Sequence, residues 1–189
     1  MPQNQTTNIA GMASQSPASA AFQKTLTKMP YSDQLDVLRL KATMTAHAET
    51  LLYTSLLQRK FIKNFYRWSI RLAEIERALA AEAGLAQSRF LQSLGVLRES
   101  TESQGYGAWC GIEPKPQPKE LVVLLFHPSG SRLQRTFVAA DRFLAPVYAA
   151  FLVQKISYAE FDDIKAKVKV EFKTLANVMD ELLTHSKNR

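Results

Sequence analysis

A chain of 189 residues with 46% hydrophobic content is long enough to bury a sizeable core. Its 24 Lys and Arg against 17 Asp and Glu give a net charge of +7, which favours a polyanionic partner, nucleic acid before an acidic membrane surface. Its one cysteine, Cys110, excludes an internal disulfide and fits a reducing compartment. The polar N-terminus lacks the basic flank and apolar core of a secretory signal. The longest apolar run, residues 143–153, is too short to span a bilayer and contains Pro146, so a soluble cytoplasmic protein is expected.

Residues 1–30 are rich in Gln, Ser, Thr, Asn and Ala and hold few large apolar side chains. Such a stretch buries too little surface to offset its ordering entropy, so it reads as a disordered tail ahead of a single domain over 31–189. Residues 36–43, DVLRLKAT, alternate: Leu38, Leu40 and Ala42 on one side, Arg39, Lys41 and Thr43 on the other. Period two predicts a half-buried strand; the first turn of the following helix is the alternative. From Thr45 to Gly84 the pattern is helical without a proline. Gly84 offers a C-terminal stop, and the length implies a break near Gln58–Asn64. Arg59, Lys63, Arg67 and Arg71 recur every four residues and so form one stripe, while Phe61, Phe65, Trp68 and Leu72 take the other face. No acid falls between Glu49 and Glu74.

A short helix is expected over 86–99, then a linker-like loop over about 99–119 carrying three Gly and three Pro. Residues 121–126, LVVLLF, are a strand that is apolar on both faces and so a buried partner. Ser129 or Ser131 then caps a helix in which Leu133, Phe137, Ala140 and Leu144 share a face, and Pro146 bends that helix or starts a new one. Ser157 and Glu160 stand at capping-box spacing before a last helix. Residues 164–173 also alternate at period two, but the cap and the downstream spacing decide for helix.

Catalytic chemistry is thinly represented. His47, His127 and His185 are widely separated, Cys110 has no CxxC partner, and no phosphate loop, dinucleotide fingerprint or GxSxG occurs. His47 reads as a half-buried helix residue, His127 as a turn residue, and Asp162-Asp163 as a solvated first turn. A non-enzymatic protein without metal or cofactor is expected.

Binding features are stronger, each against the bland alternative of a solvated face. An antiparallel two-stranded ribbon fits the major groove, where Arg39, Lys41 and Thr43 have the chemistry to read base edges. Arg59, Lys63 and Arg67 suit phosphates. Arg132 and Arg135 lie in the first turns of the helix after the second strand, where a helix N-terminus favours anions. The order strand, helix, helix occurs twice, and the two strands can pair within the chain or across a dimer axis. The expected fold is mainly α with a small two-stranded β ribbon, a ribbon-helix-helix-like element elaborated by extra helices. The rival reading is a protein-interaction or scaffold component, with residues 143–153 and 121–126 as its partner surface.

Residues 36–183 resemble the AcaB family of regulators encoded on conjugative plasmids and integrating conjugative elements. The resemblance rests on LRLKATMTAHAETLL, on PKELVVLLFHPSGSRLQRTFVAADRFLAPVYAAFLVQ with its HPSGSR turn and Asp141-Arg142 pair, and on the helical C-terminus. It implies a DNA-binding transcriptional activator of conjugation genes, a homodimer on double-stranded DNA that contacts another regulator or RNA polymerase. The chain is larger than a minimal ribbon-helix-helix module.

Overall fold

The apolar strand finds its partner within its own chain. The computed structural model describes residues 23–24, 26–28, 34, 46–103, 118–125 and 127–187. Its elements run β1 (Ala46–Leu52), α1 (Ser55–Ala78), α2 (Ala80–Ser103), β2 (Lys119–Leu125), α3 (Pro128–Leu152) and α4 (Tyr158–Lys187). β1 and β2 form an antiparallel ribbon from Ala46↔Leu125 to Leu52↔Lys119. The fold is therefore mainly helical with a two-stranded ribbon, as expected, but the first strand differs from the expectation.

Residues 46–52 are strand where the sequence pattern predicts the start of a helix, and His47 lies in that strand rather than on a helix. Thr50 and Leu52 are buried while Glu49 and Leu51 are exposed, the alternation a ribbon lying on a core requires. The expected strand 36–43, with Arg39, Lys41 and Thr43, lies outside the described residues. So does most of the expected tail, although Leu26, within it, is buried against the core. Residues 99–103 belong to α2, and the rest of the expected loop, 104–117, lies outside the described residues.

α1 is unbroken through Gln58–Asn64. Leu57, Phe61, Phe65, Trp68, Leu72 and Ile75 keep one face continuously buried, and the Asn64 amide donates to Lys60 O at 3.0 Å. The break comes instead at Leu79 (φ −144°, ψ 62°), whose N–H still reaches Ile75 O. Gly84 does not stop a helix: it lies inside α2, which continues through the expected short helix. α3 is capped by His127, not by Ser129 or Ser131. The His127 Nδ1 accepts the Ser129 N–H at 3.3 Å, and Pro128 opens the first turn, where its missing N–H costs nothing. α3 runs through Pro146 to Leu152. The capping box of α4 forms as read: Glu160 Oε2 accepts from Ser157 N (2.8 Å) and Oγ (2.7 Å), and Glu160 N donates to Ser157 Oγ at 3.3 Å. Residues 164–173 are helical.

The helices close around aromatic rings. Phe137 lies edge-on to Phe61 at 5.1 Å and 5.0 Å from Phe172, which in turn meets Phe90 at 4.7 Å. Within the run 143–153, Leu144, Ala145, Val147, Ala149 and Ala150 are buried. Leu152 and Val153 at its end are exposed, so the run is largely core but keeps part of the surface that the rival reading assigns to it.

The two β-α-α units repeat one element order, and their strands and first helices can be aligned by register and burial. Moving β1 onto β2 carries Glu49 onto its own ladder partner, Val122. Moving Phe61, Phe65 and Leu72 of α1 onto Leu133, Phe137 and Leu144 of α3 sets buried side chains on buried side chains. The path from strand to helix is one residue shorter in the second unit.

The corner between β1 and α1 is held from α3. Thr54, the N-cap of α1, makes no side-chain cap to its own helix. Asp141 is 2% exposed, and its Oδ2 accepts Tyr53 N–H at 2.6 Å. Its Oδ1 accepts Thr54 N–H at 2.9 Å and the Thr54 hydroxyl at 2.6 Å. Burial pushes this carboxyl above the usual carboxylate range, and the three donors pull it partly back. Asp141→Ala leaves those donors without an acceptor and should cost on the order of 2–4 kcal/mol in urea denaturation, with Asp141→Asn costing less because one acceptor oxygen remains. Because the folded state holds the proton more tightly than the unfolded one, this group's contribution is complete below the ordinary carboxylate range. It is lost as pH rises through the raised folded value. Stability across that interval should fall with pH more steeply in the native chain than in Asp141→Asn.

Candidate nucleic-acid interface

The straight course of α1 settles the geometry of the basic stripe. Arg59, Lys63 and Arg67 are all exposed on one side, spanning about 12 Å at 1.5 Å per residue, the rise of about three to four nucleotides of one DNA strand. Arg59 Nε donates to Ser55 O at 3.2 Å and Arg67 to Asn64 Oδ1 at 3.1 Å, contacts that position the guanidinium groups without neutralising them. Arg71, the fourth member, is half-buried and ion-paired with Asp180 of α4.

α4 lies alongside and adds cations that the stripe did not include. Lys60 Nζ stands 5.4 Å from the Phe172 ring centroid. Burial lowers its pKa, and Lys169 and Lys63 push it further down by repulsion. Lys169 and, one turn on, Lys173 are exposed. Among the described residues, Arg59, Lys63, Arg67 and Lys169 make no ion pair. Nothing in a single sequence places Lys169 beside Lys60; the Lys-rich alternation around 165–173 was the one available signal.

Arg132 and Arg135 stand apart from this row. The anion position expected at the start of α3 is filled by the chain itself: Glu76, on the last turns of α1, ion-pairs with Arg132 and approaches His127 Nδ1 at 3.6 Å. The His127 ring is pushed toward neutrality by burial and accepts the Ser129 N–H, so its approach to Glu76 is not an ion pair. Arg135 is exposed and lines a cleft between α2 and α3. The outer face of the ribbon exposes Glu49, Leu51, Glu120 and Val122, two acids and two apolar side chains, a surface unsuited to phosphate or base edges. Among the described residues, no group of three His, Cys, Asp or Glu converges to hold a metal ion, and no helix is long and apolar enough to cross a membrane.

Two strand–helix–helix units joined through an antiparallel ribbon define a ribbon-helix-helix-like fold with extended helices. The crystal structure of AcaB from uropathogenic E. coli shares it: TM-score 0.56 and 15% identity, over 76% of this chain and 81% of that one. The likeness is one of fold. No protein-family model and no curated protein matches the sequence.

If Lys60, Lys63 and Lys169 share one field, Lys169→Ala should raise the pKa of the Lys60 ammonium toward the ordinary lysine value in an NMR titration. An unchanged value would mean that the α4 cation does not reach it.

Proposed function

We propose that this protein is a transcriptional regulator that binds double-stranded DNA, with the α1/α4 cations on the phosphates. The observation that carries this reading is the row Arg59, Lys63 and Arg67, reinforced by Lys60 and Lys169 and free of ion pairs among the described residues. Such a row supplies sequence-independent, salt-sensitive affinity. The fold likeness to AcaB, with the sequence resemblance, supports an activator of conjugative-transfer genes working in the cytoplasm. Base reading falls to Arg39, Lys41 and Thr43, because the outer face of the described ribbon is acidic and apolar. A homodimer would set two cationic faces over two half-sites.

The test is fluorescence anisotropy of the full chain on random duplex DNA, from low to physiological salt. Affinity should fall steeply with salt. Lys63→Ala and Arg67→Ala should each weaken binding to all sequences alike and flatten the salt slope by about one. Arg39→Ala should instead relax specificity, at about 1–3 kcal/mol for the position it reads. Absence of binding at low salt overturns the reading.

A further inference from the structure

Aligning α1 with α3 by their buried positions matches the α1/α4 face with a second surface between helices, the one between α2 and α3. Carrying α1 onto α3 by its buried positions moves Arg67 and Arg71 onto Ala139 and Phe143. On the first surface Arg71 reaches across to Asp180 and closes the gap between helices. On the second no such bridge exists among the described residues, and a cleft of about 710 Å³ remains open, within the range of small-molecule sites. Leu94, Val138, Phe143 and Val147 contribute an apolar lining.

Charge on this cleft is one-sided. Arg98, Arg135 and Arg142 line it against a single acid, Glu102, which is already engaged by Arg98 at 2.7 Å. Arg135 and Arg142 lie seven residues apart on α3, on one face of the helix, both exposed and without an ion pair among the described residues. Gly95 also lines the cleft, and a Cβ there would meet nothing within 4 Å. Glycine inside a helix costs about 1 kcal/mol relative to alanine, and the open space at Gly95 leaves room for a larger side chain to enter the cleft.

We propose that the α2/α3 cleft binds a small organic anion with an apolar body and a carboxylate or sulfonate head, the body against Leu94, Val138 and Phe143 and the head between Arg135 and Arg142. This site is independent of the DNA-binding reading and stands if that reading fails. An apolar lining rewards burial of a hydrocarbon or aromatic body, and long arginine side chains two turns apart can reach toward one oxyanion from either side.

The experiment titrates the full chain with 1-anilinonaphthalene-8-sulfonate and with neutral N-phenyl-1-naphthylamine, reading fluorescence, with dodecanoate as competitor. The expected result is saturable one-to-one binding of the sulfonate, at least tenfold tighter than the neutral probe and displaced by dodecanoate. Gly95→Phe, which improves helix propensity while filling the cleft, should abolish it. Arg135→Ala with Arg142→Ala should erase the preference for the anion while circular dichroism stays unchanged. Non-saturable binding overturns the proposal, as does an affinity that neither substitution alters. If Gly95→Phe instead changes the mass in light scattering and leaves probe binding intact, the cleft is a contact between copies of the chain and the anion site is refuted. Should Gly95→Phe fail to fold, the exposed arginine pair decides alone.

Discussion

Everything in this molecule turns on a carboxylate that crosses from one half to the other. β1 passes into α1 through only Tyr53 and Thr54, and a helix start leaves backbone donors that need acceptors. Asp141 supplies them from α3, so the position of α1 is referred to α3 rather than to its own local sequence. The same pairing orients the ribbon. Gln58 Nε2 donates to Leu52 O at 2.8 Å, and Gln134 Nε2 reaches Glu49 O at 3.1 Å and the Thr50 hydroxyl at 2.7 Å. On the other edge Leu124 N–H donates to the Tyr66 hydroxyl at 3.2 Å. The unpaired edges of a two-stranded ribbon are thus occupied by side chains of the two helices that support it, which is how so short a sheet avoids an open strand edge.

Acidic side chains are spent internally, and this shapes the surface. Asp141 holds a helix corner, Glu76 takes Arg132, Asp180 takes Arg71, and Glu102 takes Arg98. Among the described residues, cations that the acids leave uncompensated stand in two places, along α1 with its α4 neighbour and at Arg135 and Arg142 beside the α2/α3 cleft. The net charge of +7 is therefore not spread evenly, and Lys60 registers the crowding through repulsion from Lys63 and Lys169. Surface ion pairs contribute little to stability, but here they decide where positive potential remains.

Some of this was legible in the sequence, and the boundary has physical causes. The continuous apolar run at 121–126, the four-residue basic stripe and the Ser157–Glu160 cap are local signals, and each has its counterpart in the structure. β1 was not legible, because Ala, Glu and Leu in AHAETLL are helix formers and only pairing with β2 makes them strand. The break at Leu79 carries neither Gly nor Pro, and His127 is not a usual capping residue. The pairing of Arg132 with Glu76 joins residues 56 apart (132 − 76), and that of Lys60 with Lys169 joins separate helices. No periodicity reports either one. The stripe was visible, but which of its cations stay unmatched depended on the fold.

A true dimer of identical chains must display each side chain twice, so a residue useful at one end is imposed at the other. Here the two halves share one polypeptide, and each position can drift alone. Arg67 and Arg71 in one half answer to Ala139 and Phe143 in the other. The result is a body with two unlike sides, one a closed cationic row and one an arginine-rimmed hollow, whose residues can be changed separately.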